Sequence, residues 1–204
     1  IDSISKKISI KKAKNDKWMR NILKNTPDVK AYLTFSNGES LYTVEDKMQN
    51  DSKTVFNFNR ISAGGDKKYY KNTNTKEYFF ENYFDELLLT DIEPKKWKIT
   101  QESKVIGNYV CYKAIESTNK KTKPIIVWFT PLIPVSFGPK EYNGLPGLVL
   151  LVEEYNRTFS ATKIVLNPKK KFKIKKPTKG KKETIEAYQK RINSFKKFLK
   201  GKDD

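Results

Sequence analysis

The sequence predicts a mainly β protein of the α+β class: a curved antiparallel sheet or half-barrel with one or two covering helices and a basic C-terminal helix. Three observations predict it. About eleven short runs suited to strands are separated by polar turns, helical spacing is confined to two stretches, and Asn37-Gly38 sits between two alternating runs. The 204 residues suffice for one domain of the larger all-β kind with a tail, and 13% aromatic residues supply a core.

Taken in order, Ile4, Ile8 and Ile10 begin an extended segment. Residues 14–25 then place Trp18 and Ile22 at helical spacing before Thr26-Pro27 stops the helix. Residues 29–35 and 40–44 flank the Asn-Gly turn as an antiparallel hairpin. Residues 54–60 alternate Val and Phe with polar Asn and read as a strand, while 68–71 and 77–83 form an aromatic-rich hairpin around Asn72-Thr73-Asn74-Thr75. Short strands follow at 86–90, 97–100 and 104–106, and Gly107-Asn108 turns into 109–117. Residues 124–130 are continuously apolar, as in a strand covered on both faces, and 148–155 pairs with 158–166 in a last hairpin. Residues 1–167 form the half-barrel-like domain, and 168–204 form a basic linker and an amphipathic helix.

The net charge is +19, and its distribution is uneven: residues 168–204 hold 15 basic and 4 acidic side chains, a net of +11, leaving +8 for the rest. Only four basic residues are Arg and 38 are Lys, whereas base and phosphate recognition favours the planar guanidinium, so the charge argues against nucleic acid as the partner. Sixteen Asn beside the abundant Lys, Ile, Phe and Tyr fit a coding bias toward AT-rich codons. In the tail Ile185, Tyr188, Ile192, Phe195 and Leu199 repeat at three and four, making one apolar stripe. Such a helix lies on an anionic membrane, docks on a partner, or folds back over its own sheet. No run reaches the roughly 18 apolar residues of a membrane span. Ile1 is not an initiator Met, so a removed targeting peptide is expected.

His is absent and Cys111 is the single cysteine. A zinc site, a His-activated nucleophile and a disulfide framework therefore lack their parts, and no cofactor or metal is expected. Cys111 lies in an alternating strand and reads as a small buried hydrophobe. The carboxylate pairs Asp85-Glu86, Glu153-Glu154 and Asp203-Asp204 are sequence-adjacent; on a strand such neighbours point to opposite faces, which is wrong for an acid/base dyad. Ala63-Gly64-Gly65-Asp66 lacks the Lys and following helix of a phosphate loop and reads as a turn between strands. Ser136 has neither a nucleophile-elbow context nor a His. These readings argue against catalysis, and no enzymatic activity is expected.

The most informative stretch runs from Pro131 to Gly147, with four prolines and three glycines in seventeen residues. Proline fixes φ and glycine admits left-handed geometry, so this is a rigid, shaped loop. It holds Leu145 and Leu148 in fixed positions, either plugging the end of the sheet or facing a partner.

Gly144-Leu145-Pro146-Gly147-Leu148-Val149, together with Trp128-Phe129-Thr130 and Ile133-Pro134-Val135-Ser136-Phe137-Gly138-Pro139, resembles the GLPGLI family of Gram-negative cell-envelope proteins, with Val149 in place of the final Ile. The resemblance spans about residues 1–166. It implies export across the inner membrane, a periplasmic and outer-membrane-associated location, and a fold similar to periplasmic lipoprotein carriers, but no established activity. The function expected is that of a non-enzymatic accessory or binding subunit of an outer-membrane β-barrel complex. Its partner contacts would be Gly138, Pro139, Gly144, Leu145, Pro146, Gly147 and Leu148 of the loop, with Ile185, Tyr188, Ile192, Phe195 and Leu199 of the helix. The alternatives are a carrier of a lipid or lipoprotein acyl chain and, more weakly, polyanion binding through the tail.

Overall fold

A computed structural model describes residues 27–45, 57–84, 86–117, 124–154, 157–169 and 172–200. The early strand and the helix expected before Pro27 lie outside these residues. The described chain is mainly β, with eleven strands and two helices. In order they are β1 (Ala31–Ser36), β2 (Glu39–Val44), α1 (Phe58–Ala63), β3 (Lys68–Asn72), β4 (Glu77–Phe84), β5 (Glu86–Asp91), β6 (Trp97–Ile106), β7 (Tyr109–Glu116), β8 (Ile126–Thr130), β9 (Leu148–Glu153), β10 (Thr158–Ser160), β11 (Lys181–Glu183) and α2 (Ile185–Lys200). They divide into two open sheets, ordered β1-β2-β3-β4-β5-β11 and β10-β9-β8-β7-β6. All pairings are antiparallel except that of β11 with β5.

The first hairpin forms where Asn37-Gly38 predicts it. Both residues have positive φ, 50° and 80°, as a two-residue turn matched to strand twist requires. The strand expected over residues 54–60 is replaced in its described part by α1. Asn57 accepts a hydrogen bond from Arg60 N at 3.0 Å and so caps a helix, which overrides the alternation of Phe and Asn. Ala63-Gly64-Gly65-Asp66 accordingly joins a helix to β3 rather than two strands. The two short strands expected between 97 and 106 are one, β6, with a register shift between Ile99 and Ser103. Of the strand expected over 158–166, only β10 pairs with β9.

Alternation puts Tyr42, Tyr69 and Phe80 on one face of the first sheet, their rings 5.6–5.8 Å apart, and Tyr70, Phe79 and Leu89 on the other. Helix α2 packs on the first face, its Tyr188 ring 5.2 Å from Phe80. The tail before it is not the solvated linker its charge suggests. Ile174 packs beside Tyr70 and Phe79, Lys176 pairs with Glu77 at 2.5 Å, and β11 adds to the sheet. Asn82 donates to Thr90 at 3.1 Å, and Thr90 to Glu183 at 2.9 Å. Arg191 grips Glu183 with two bonds, at 3.0 and 2.8 Å, holding that carboxyl below its ordinary range. A depressed carboxyl contributes stability above its unfolded pKa and loses it as pH falls through the folded value. Glu183→Gln should therefore cost about 1 kcal/mol near neutral pH and speed protease cleavage before α2, with the difference from the native chain vanishing in acid.

Both faces of the second sheet are covered, as the apolar run at 124–130 predicts. Val127, Phe129 and Val152 pack with Tyr142 and Leu145, while Cys111, Trp128 and Leu150 pack with Ile133 and Phe137. The side chain of Cys111 is buried and burial raises its thiol pKa, so it serves as core. The two sheets meet where Leu33 and Phe35 of β1 join the Trp128 cluster, Phe35 lying 6.0 Å from the Phe137 ring.

Candidate functional site

The Gly/Pro loop between β8 and β9 is braced from every side. Leu148 N donates to Ile133 O and Val149 N to Phe137 O, both at 3.0 Å, so the loop folds back on the strand that follows it. Its glycines have separate reasons. A Cβ at Gly147 would lie 2.2 Å from Thr130 O, and one at Gly138 would lie 1.9 Å from Tyr142 O, so backbone occupies the place of a side chain at both. Gly144 instead has φ +94°, in the left-handed region.

A buried polar network ties the loop to both sheets. Lys71 of β3 donates to Ser136 O at 3.0 Å and to Asn143 Oδ1 at 2.9 Å. Asn143 Nδ2 donates to Tyr78 OH at 2.6 Å, and Tyr78 OH donates to Lys140 O at 3.2 Å. From the second sheet Trp97 Nε1 donates to Asn143 O at 2.8 Å, and Lys140 Nζ donates to Ser62 O of α1 at 3.3 Å. Burial pushes the Tyr78 hydroxyl well above the phenol range and the Lys71 ammonium down to about 8. Both of these acceptors of Lys71 are uncharged oxygens, and a neutral amine still donates two bonds, so the geometry survives deprotonation. With the folded value below the unfolded 10.5, the unfolded chain binds more protons between these limits. Stability from this group therefore rises with pH across that window. Melting curves of the native chain and Lys71→Met from about pH 8 to 10 should show the native chain gaining on the variant.

The carboxylate pair on β9 is spent on structure. Glu153 accepts from Trp128 Nε1 at 2.9 Å, Glu154 accepts from Tyr142 OH at 2.6 Å, and Glu154 also forms an ion pair with Arg157 at 2.9 Å.

Between the sheets lies a cleft of about 390 Å³. Ala31, Leu33 and Phe35 of edge strand β1 form one wall, Leu148, Val149 and Leu150 of β9 the floor, and Phe159, Ile164 and Val165 the far wall. Its volume falls within the roughly 300–1,000 Å³ of small-molecule sites. The far wall exists because the chain leaves β9 after Ala161, whose N–H makes the last bond, to Leu150 O at 2.8 Å. Sequence reasoning missed this cleft by continuing β10 to residue 166. The available signal was the apolar Ile164-Val165-Leu166 run, of which Val165 is 57% exposed.

Of the loop positions singled out in the sequence, Leu145 and Leu148 are buried within the domain, Gly138 and Gly147 are buried backbone, and Gly144 and Pro146 are exposed. Pro139 and Leu148 border the cleft. In α2, Ile185, Tyr188 and Ile192 are half-buried and Phe195 is exposed, while the Leu199 side chain lies outside the described residues. Helix and loop are thus separate places, and only the loop reaches the cleft.

Fold and site together define a two-sheet, mainly β domain with a braced loop and an open cleft. A solved structure of PNGF-II in space group C2 has this fold: at 20% identity it superposes with a TM-score of 0.52, covering 76% of this chain and 28% of that one. A second crystal form, in space group P21, gives 19% identity and a TM-score of 0.48 over the same shares. The chain thus spans 28% of the length of the solved structures it matches. Residues 116–151, which hold β8, the loop and most of β9, match a family model described as a protein of unknown function, Porph_ging. No curated protein matches.

Proposed function

We propose that this protein is a non-enzymatic binding module of the cell envelope, a periplasmic accessory subunit of an outer-membrane β-barrel complex, and a member of the GLPGLI family. The observation that carries the reading is the cleft: a trough of about 390 Å³ beside a sheet edge, lined by apolar side chains together with polar ones such as Asp28, Asn59 and Lys163, and bordered by a loop that backbone packing and a polar network hold in one shape. A preset trough loses little entropy on binding, which suits a docking surface. In the sequence, the absence of His and the single Cys leave common catalytic schemes without their parts. Copurification from detergent-solubilised outer membranes tests the proposal. A β-barrel protein should be retained in stoichiometric amount, and a chain that emerges as a monomer with no membrane partner overturns it.

The apolar part of the lining, from Leu33, Phe35, Leu150 and Phe159, favours a second reading, a carrier of a lipid or lipoprotein acyl chain. Native mass spectrometry of the purified chain should then show a fatty-acyl adduct that disappears in Leu150→Trp, which fills the floor.

A further inference from the structure

The binding-module reading leaves the partner's chemistry open, and the edges of the two sheets narrow it. Among the described residues four strands are edges: β1, β11, β10 and β6. An edge strand invites pairing unless it is short, charged or bulged. The strands β10 and β11 have three residues each, β11 being Lys-Lys-Glu, and β6 carries Lys98, Glu102, Lys104 and a register shift. By contrast β1, Ala-Tyr-Leu-Thr-Phe-Ser, has six residues, no charge and a regular register.

Its free groups face the cleft. In the two-residue hairpin Ser36 and Glu39 form the first hydrogen-bonded pair, and such pairs alternate along the ladder. The bond from Glu45 N to Lys30 O at 2.9 Å fits that phase, so Lys30, Tyr32, Thr34 and Ser36 spend their backbone groups on β2. The N–H and C=O of Ala31, Leu33 and Phe35 therefore point away from β2. These three residues wall the cleft, and among the described residues no backbone partner meets their amides.

An edge without a partner among the described residues, beside a trough of mixed lining, selects extended polypeptide. Main chain supplies N–H and C=O at the matching spacing and sends alternate side chains to one face, whereas an acyl chain supplies neither group. Charge selects further. The protein carries +19, exposed Lys30 stands at the β1 entry, and Arg157 and Lys163 line the cleft against one acid, Asp28, which disfavours a second copy and favours acidic flanks. We propose that the cleft binds an extended segment of a partner protein by strand addition to β1, with apolar side chains at alternate positions and acidic residues flanking them.

The test uses the full chain and a synthetic peptide, Glu-Glu-Val-Thr-Val-Thr-Val-Glu-Glu, with two controls N-methylated at the valines or at the threonines. Binding should slow amide exchange at Leu33 and Phe35 by about tenfold or more. One N-methylated control, the one whose donors face β1, should bind about tenfold more weakly than the other. The exposed-wall double variant Ala31→Glu, Val165→Glu should weaken binding without changing Tm. Binding with unchanged exchange over residues 31–36, equal binding by both controls, absence of binding, or dimerisation through β1 without peptide would each overturn strand addition. If the envelope partner is still retained in such a case, the binding-module reading stands; if it is lost too, both fall.

Discussion

Replacing Gly147 by alanine should lower stability by about 3 kcal/mol, a loss of about 6–12 °C in Tm for a chain of this size. The cause is backbone crowding. The new Cβ would sit 2.2 Å from Thr130 O, 2.6 Å from Thr130 C and 2.9 Å from Pro131 N, none of which is the movable end of a side chain. Relief requires the start of the loop to separate from its end, which breaks the seating of Leu145 and Leu148 in the core. Gly144→Ala is the matched control. There the nearest atom is Trp97 Nε1 at 3.9 Å and the penalty is only that of a positive φ, about 1 kcal/mol. Urea denaturation of the two variants should show this ordering, and equal losses would refute the packing account of the motif.

The second large effect is expected at Asn143, where both sheets and the loop meet. Asn143→Leu should cost about 3 kcal/mol, because it removes one of the two acceptors of Lys71 and the donor to Tyr78 while leaving both partners inside. Asn143→Asp should cost less, since a carboxylate still accepts from Lys71 and, once the Tyr78 hydroxyl turns its proton away from Lys140 O, from Tyr78. It should also raise the Lys71 pKa, removing the gain in stability with pH that sets the native chain apart from Lys71→Met. If the aspartate variant keeps that pH dependence, Asn143 is not the group that holds Lys71.

Much of the fold was legible because its signals are local. Asn37-Gly38, the turn around Asn72 to Thr75, the apolar run ending at Thr130 and the stripe from Ile185 each specify their element within a few residues. Failures occurred where a distant partner decides. The β11 strand is three polar residues that pair in parallel with β5 after a long excursion, and nothing in Lys181-Lys182-Glu183 announces it. The expectation at Asn57 failed for a local reason instead: the alternation of Phe and Asn hides that its side chain accepts from Arg60 N and caps a helix. At the candidate site, the loop's rigidity could be read from its prolines and glycines. The cleft could not, because it depends on which strands end the sheets and on where the chain after Ser160 parts from β9, both outcomes of tertiary pairing.

The central claim is that a partner meets this protein at the cleft, with the Gly/Pro loop acting as its brace. The most direct measurement is the amount of outer-membrane β-barrel protein retained from detergent extract by three immobilised chains: native, Pro146→Ala, and Ala31→Glu with Val165→Glu, each checked for Tm. Pro146→Ala should lower stability by about 1 kcal/mol yet retain the partner, while the cleft variant should keep its Tm and lose it. Loss of the partner by Pro146→Ala at unchanged Tm, with full retention by the cleft variant, would place the contact on the loop and contradict the account.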